Sequence, residues 1–176
     1  MRVSDHFSLP YTGLKDGIHH YTFEAGSDFF SEFDHSPVQD GTFTIDVTLD
    51  KRTGLSELFF SIQGYKLATC DRCLADIKLP VTGEYKLLVK VANDSTDDDE
   101  IIYISEDEAK LYLGQVIYEY ICLSIPITQL YDCQNDIPKP CNDDVIDRIN
   151  QADTAESSEN NNNIWNVLKD FSQDNL

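Results

Sequence analysis

The sequence predicts an α+β fold. The expected architecture is an antiparallel β-sheet, able to curl toward a barrel, with one long helix packed on it and short C-terminal helices. Three observations predict it. Residues 41–51, GTFTIDVTLDK, alternate apolar and polar side chains with the period of a half-buried strand. Successive strand patterns between residues 18 and 91 are joined by short turn signals, which favours an antiparallel meander. A single stretch, 106–122, carries apolar residues at helical spacing.

Along the chain, residues 1–16 contain Pro10 and Gly13 and read as an extended lead-in. IHHYTFEA, 18–25, is rich in β-prone residues and is expected as a strand. Its two adjacent histidines, His19 and His20, would point to opposite faces and so chelate one ion poorly. SDFFSEF, 27–33, fits one or two helical turns capped by Ser27, with Phe29, Phe30 and Phe33 turned inward. In 41–51, Phe43, Ile45, Val47 and Leu49 share the buried face, while Thr42, Thr44, Asp46 and Thr48 share the wet one. After the turn at 52–54 a second long strand runs over 55–70, with Gly64 as a bulge or kink. Pro80 and Gly83 are expected to bend the chain before a strand from Glu84 to Val91.

NDSTDDDE, 93–100, is an acidic loop without the ligand spacing of a calcium-binding loop. IIYI, 101–104, is a short strand. Ser105 and Glu108 then stand as a capping box ahead of the long helix, 106–122. Glu119 lies within its apolar run, either as a surface residue or as a carboxylate tying the helix to something basic. Pro126 ends the element. Asn142 or Asp143 caps a short helix through Asn150. QADTAESSENNNN, 151–163, is polar and of low complexity and reads as a flexible linker. In 164–176, Ile164, Val167, Leu168 and Phe171 form the apolar stripe of a short amphipathic helix beside the only tryptophan, Trp165. Such a helix is marginal alone and must dock on its own domain or on a partner. The expected organisation is thus one α+β domain over 1–150, a linker over 151–163 and a terminal helix over 164–176.

Composition restricts function. Thirteen basic and 32 acidic residues give a formal charge of −19. A chain so acidic repels phosphate backbones at long range and attracts basic partners. The N-terminus lacks the apolar core of a secretory signal, and no apolar run reaches the roughly 20 residues of a membrane helix. With five cysteines, an odd number, in a chain that needs no covalent staples, a cytoplasmic protein that makes no membrane contact is expected. The motifs of nucleophilic, metal-dependent and nucleotide-dependent enzymes are missing, so nothing in the chain supports an enzyme.

The chemically suggestive stretch is LATCDRCLAD, 67–76. Cys70 and Cys73 flank Asp71 and Arg72, and a turn of this length brings two thiolates to one metal. Tetrahedral zinc would need a second pair, for which Cys133 and Cys141 are the candidates. Cys122, within the apolar helix, reads as a core thiol. A redox pair and ordinary thiols remain open alternatives.

Taken together, FFSIQGYKLAT, CDRCL, the strand ending KLLVKV, the run IIYISEDEAKLYLGQVIYEYICLSIPI and the closing NIWNVLKDF resemble the YceD family of large ribosomal RNA subunit accumulation proteins. The branch found in Bacteroidetes is the most similar. The resemblance spans about residues 7–172. It implies a role in ribosome biogenesis, supporting accumulation of large-subunit ribosomal RNA. It also implies a second cysteine cluster after the proline-ended helix, consistent with zinc, here reduced to Cys133 and Cys141. Set against the acidic charge, the expected action is non-enzymatic, through basic ribosomal proteins or large-subunit assembly intermediates, with Arg72, Glu119 and Trp165 as partner contacts. The alternative is a direct ribosomal RNA-binding module using Arg72, Lys78, Lys86 and Lys90, of which the three lysines would share one strand face.

Overall fold

The computed structural model describes residues 3–92, 101–105, 107–133 and 137–159 of the chain. A short 3-10 helix, Val3–His6, precedes β1 (Ser8–Pro10). Then follow β2 (Gly17–Ala25), α1 (Ser27–Phe30), β3 (Gly41–Lys51), β4 (Leu55–Thr69) and β5 (Asp76–Val91). The order closes with β6 (Ile101–Ile104), β7 (Lys110–Tyr112), α2 (Gly114–Ser124) and α3 (Asp143–Glu159).

The meander β2-β3-β4-β5 is antiparallel throughout, and the alternation read in 41–51 is reproduced in its burial. Two features of the sheet differ from expectation. It is mixed, because β6 joins β5 in parallel, pairing Leu88 with Ile101 through Val91 with Ile104. It also stays open, with β2 at one edge and β6 at the other, and does not close into a barrel. The parallel pairing is local. Only the last four residues of β5 take part, so the chain returns no more than roughly 10 Å before β6 starts. The acidic stretch 93–100 lies outside the described residues.

Strand β5 is not bent at Pro80 or Gly83 but runs unbroken over Asp76–Val91, in register with β4 from Asp76↔Thr69 to Lys90↔Leu55. Pro80 is tolerated because β6 covers only the end of β5, leaving Pro80 on an edge where no ladder donor is missed. Gly64 makes no bulge. A Cβ there would strike the carbonyl oxygen of Thr42 and sit 2.7 Å from Phe43 Cα, so the position demands glycine because β3 and β4 approach closely. A Cβ at Gly83 would meet Ser124 Oγ, at the C-terminus of α2, which Tyr85 Oη also contacts at 3.0 Å.

The long helix begins later than predicted. Leu111 and Leu113 are buried with the period of a strand, and 110–112 pairs with β1 as a two-stranded ribbon (Leu9↔Leu111). Leu113 N–H donates to Phe7 O at 2.7 Å, and the helix follows as the 11-residue α2. Ser105 and Glu108 form an isolated turn, with Glu108 N–H donating to Ser105 O. In α1, Gly26 occupies the N-cap and the Ser27 hydroxyl donates to Asp40 instead. Phe29 and Phe30 are buried, and Phe33 stacks on Tyr118 at 3.8 Å.

The inner face of the sheet (Phe43, Ile45, Val47, Leu49, Leu58, Phe60, Ile62, Val81, Leu87, Val89) packs against Ile117 and Ile121 of α2, the β1–β7 ribbon and α1. His19 and His20 hydrogen-bond to different partners, Lys15 O and Thr48 Oγ1. Helix α3 continues past Asn150 to Glu159, so residues 151–159 are helical. Residues 160–176, with the expected terminal helix, lie outside the described residues. No helix among the described residues is long and apolar enough to cross a membrane.

Candidate functional site

Where β4 ends and β5 begins, the sequence CDRC makes a tight turn. Leu74 N–H donates to Cys70 O at 2.9 Å, Cys70 N–H donates to Ala75 O at 2.8 Å, and Leu74 adopts a left-handed conformation, φ 59°. The turn carries its own small core, in which Cys70, Cys73, Ile77 and Leu79 are buried against Tyr131, Cys141 and Ile146 of α3. Ile77 and Leu79, at the start of β5, belong to this second core and not to the main one.

The segment after α2 is fastened to this turn. Asp71 N–H donates to Gln129 O at 3.0 Å, and Gln129 N–H donates to Asp71 Oδ2 at 2.6 Å. The pair of bonds holds residues 129–133 over the motif and brings the second cysteine pair to the first. Cys70, Cys73, Cys133 and Cys141 all line one cavity of about 250 Å³, together with Arg72, Leu130, Tyr131, Asp132 and Ile146. In this structure Cys133 and Cys141 are joined as a disulfide, while Cys70 and Cys73 are free thiols. Cys122 is half-buried on α2 and does not line the cavity.

The local electrostatics distinguish these thiols. Burial pushes the Cys70 thiol up, but backbone N–H groups of Cys73, Arg72 and Tyr131 aimed at its sulfur outweigh burial and hold it below the ordinary thiol value. Cys122 goes the other way, raised chiefly by burial. A buried sulfur ringed by amide donors is a site prepared for a thiolate, the form in which cysteine binds metal. With the disulfide closed, no three His, Cys, Asp or Glu side chains among the described residues are disposed to hold a metal. Were the disulfide reduced, the cavity lining would include four cysteine thiols, the ligand type that zinc takes.

The other residues singled out from sequence are dispersed. Arg72 is exposed at the tip of the turn. Glu119 lies on the exposed side of α2, accepting from Gln115 Nε2 at 2.7 Å. Trp165 lies outside the described residues. Lys78, Lys86 and Lys90 do share the outer face of β5, but two of them have local company. Lys86 pairs with Glu57 at 3.0 Å and covers the Phe59 ring, Lys78 covers Tyr65, and Glu84 stands on the same face. Asp71 and Tyr131, which organise the cavity, went unread. An Asp inside a turn is a hint, since its carboxylate readily accepts from nearby backbone N–H groups.

The pattern of the family described as "Large ribosomal RNA subunit accumulation protein YceD" matches residues 58–172. This is well over half of the chain, though shorter than the resemblance read over 7–172. It begins within β4 and includes α2, α3 and all five cysteines. No curated protein and no solved structure matches the chain. A chain whose greater part, from the second long strand to the cysteine-lined cavity, carries this pattern belongs to the YceD family of large ribosomal RNA subunit accumulation proteins.

Proposed function

We propose that this protein supports large-subunit ribosomal RNA accumulation as a non-enzymatic assembly factor in the cytoplasm, by binding basic ribosomal proteins or the assembly intermediates that carry them. The family supports the ribosomal role. The observation that carries the choice of partner is the way carboxylates interleave with the cations. On the outer sheet face Asp46, Glu57 and Glu84 stand among the lysines, and Arg52 is paired with Asp50, in a chain of net charge −19. Such a face has little for a phosphate backbone to neutralise and much for a basic segment to contact. Arg72 and Glu119, both exposed, are the partner contacts we assign among the described residues.

A second reading, direct RNA contact through Arg72, Lys78, Lys86 and Lys90, is favoured by the half-exposed rings beside those lysines, which offer surfaces for base stacking (Phe59 is 43% exposed). Spacing works against it. Lys78 and Lys90 are twelve residues apart on one strand, a span of roughly 40 Å at about 3.3 Å per residue. That is several times the ~8 Å screening length of physiological salt, so they act as separate charges. Affinity capture from lysate with and without RNase separates the readings. Basic ribosomal proteins retained after RNase are the expected result, and loss of every ribosomal partner on RNase treatment overturns it.

We further propose that the reduced cavity holds a structural zinc ion through Cys70, Cys73, Cys133 and Cys141. When bound, the metal would cross-link the β4–β5 turn to the segment after α2. Protein purified with reductant should contain stoichiometric zinc, lost in both Cys70→Ser and Cys133→Ser and kept in Cys122→Ser. Zinc retained in either of the first two variants would exclude a shared site.

A further inference from the structure

We infer that the four-cysteine cavity is an oxidant-responsive site, at which closing the Cys133–Cys141 disulfide and holding zinc are mutually exclusive. The inference rests on the zinc reading of the same cavity. Its basis is that the cysteines that would have to share one metal already include a bonded pair. The four sulfurs line a single cavity, yet two of them are already bonded to each other. A disulfide sulfur has no thiolate charge to give a metal, so the oxidised form offers only Cys70 and Cys73.

The two pairs are built differently, and this selects which one oxidises. Cys70 and Cys73 are 5% and 2% exposed within their apolar cluster, and the turn holds them in place from both sides. Cys133 and Cys141 are half-buried, and their Cα atoms are 6.6 Å apart, within the range a disulfide spans. Both lie outside the sheet, on segments that follow α2 and precede α3. A small oxidant therefore meets the second pair first.

With hydrogen peroxide the step balances as follows. The thiolate of one member of the pair attacks a peroxide oxygen, the O–O bond breaks, and a sulfenic acid and hydroxide form. The thiolate of the other attacks the sulfenic sulfur, the S–S bond forms, and a second hydroxide leaves. Two electrons pass from the two sulfurs to peroxide, and zinc, reduced to two protein ligands, dissociates. A dithiol reductant reverses the step by thiol–disulfide exchange. In a reducing compartment, disulfides are for the most part transient and redox-sensing, which suits this use.

The test uses the full chain, purified with reductant and loaded with zinc. It is then treated with hydrogen peroxide while a chromogenic chelator reports released metal and peptide mapping locates disulfides. Loss of the bound zinc in step with appearance of the Cys133–Cys141 bridge, reversed by dithiothreitol plus zinc, is expected. In Cys141→Ser, treated with peroxide in the same way, peptide mapping should find no disulfide at Cys133. Zinc retained after the bridge has formed, or a bridge mapped to Cys70–Cys73, overturns the exchange while leaving the zinc reading intact. A reduced protein that binds no zinc at all removes both.

Discussion

At the scale of single residues, the glycine at 64 has the clearest consequence. A side chain there would have to enter the space between β3 and β4, where backbone atoms of Thr42 and Phe43 stand in the way. Backbone cannot swing aside as a side-chain tip can, so Gly64→Ala should destabilise the fold by about 2–3 kcal/mol. Urea denaturation monitored by Trp-independent far-UV circular dichroism measures this, and an unchanged midpoint would mean that the strands part without cost. The sequence flagged Gly64 as special but for another reason, since a lone glycine in a strand pattern is compatible with a bulge, a kink or a close approach alike. CDRC was legible as a turn that could present two thiolates. Asp71 was not, because what it fastens lies 58 residues further on, and no local pattern encodes a bond of that range.

At the scale of elements, the meander was readable because each strand is half-buried and so advertises its face by alternation. Helix α2 was readable in existence and not in extent. Leu111, Leu113, Ile117 and Ile121 satisfy a helical spacing well enough to extend the pattern backwards, but Leu111 is held by Leu9 in a ribbon whose strand β1 is only three residues long. Tertiary pairing with a distant segment overrode the local periodicity. The helix is kept on the sheet by Ile117 and Ile121, both fully buried. Ile117→Ala should cost about 2–5 kcal/mol, from lost transfer energy plus the cavity left between α2 and the sheet. Thermal melting would register this as a clear fall in midpoint. By contrast Lys86→Ala should change stability by less than about 1 kcal/mol, since its pair with Glu57 is solvent-exposed.

For the whole molecule, charge and cysteine placement matter more than topology. An open mixed sheet covered on one face identifies no partner, and the four residues of β6 show a strand pattern but carry no sign of its direction, so its parallel pairing was not legible. The net charge of −19 was plain from the start. If the partner is a basic ribosomal protein, as proposed, this charge predicts that its capture is steered at long range. The association rate should therefore fall about tenfold or more between low salt and several hundred millimolar sodium chloride, while dissociation changes less. Stopped-flow mixing with such a protein measures both, and a salt-independent on-rate would mean that the acidic exterior takes no part.

The two bonds between Asp71 and Gln129 make the cysteine turn and the chain leaving α2 into one clasp. Gln129 is a handful of residues from Ser124, the last residue of the helix that displays Glu119. The cysteine turn and the exit of α2 are thereby moored to each other at one point, and Asp71, which carries no sulfur, is the mooring.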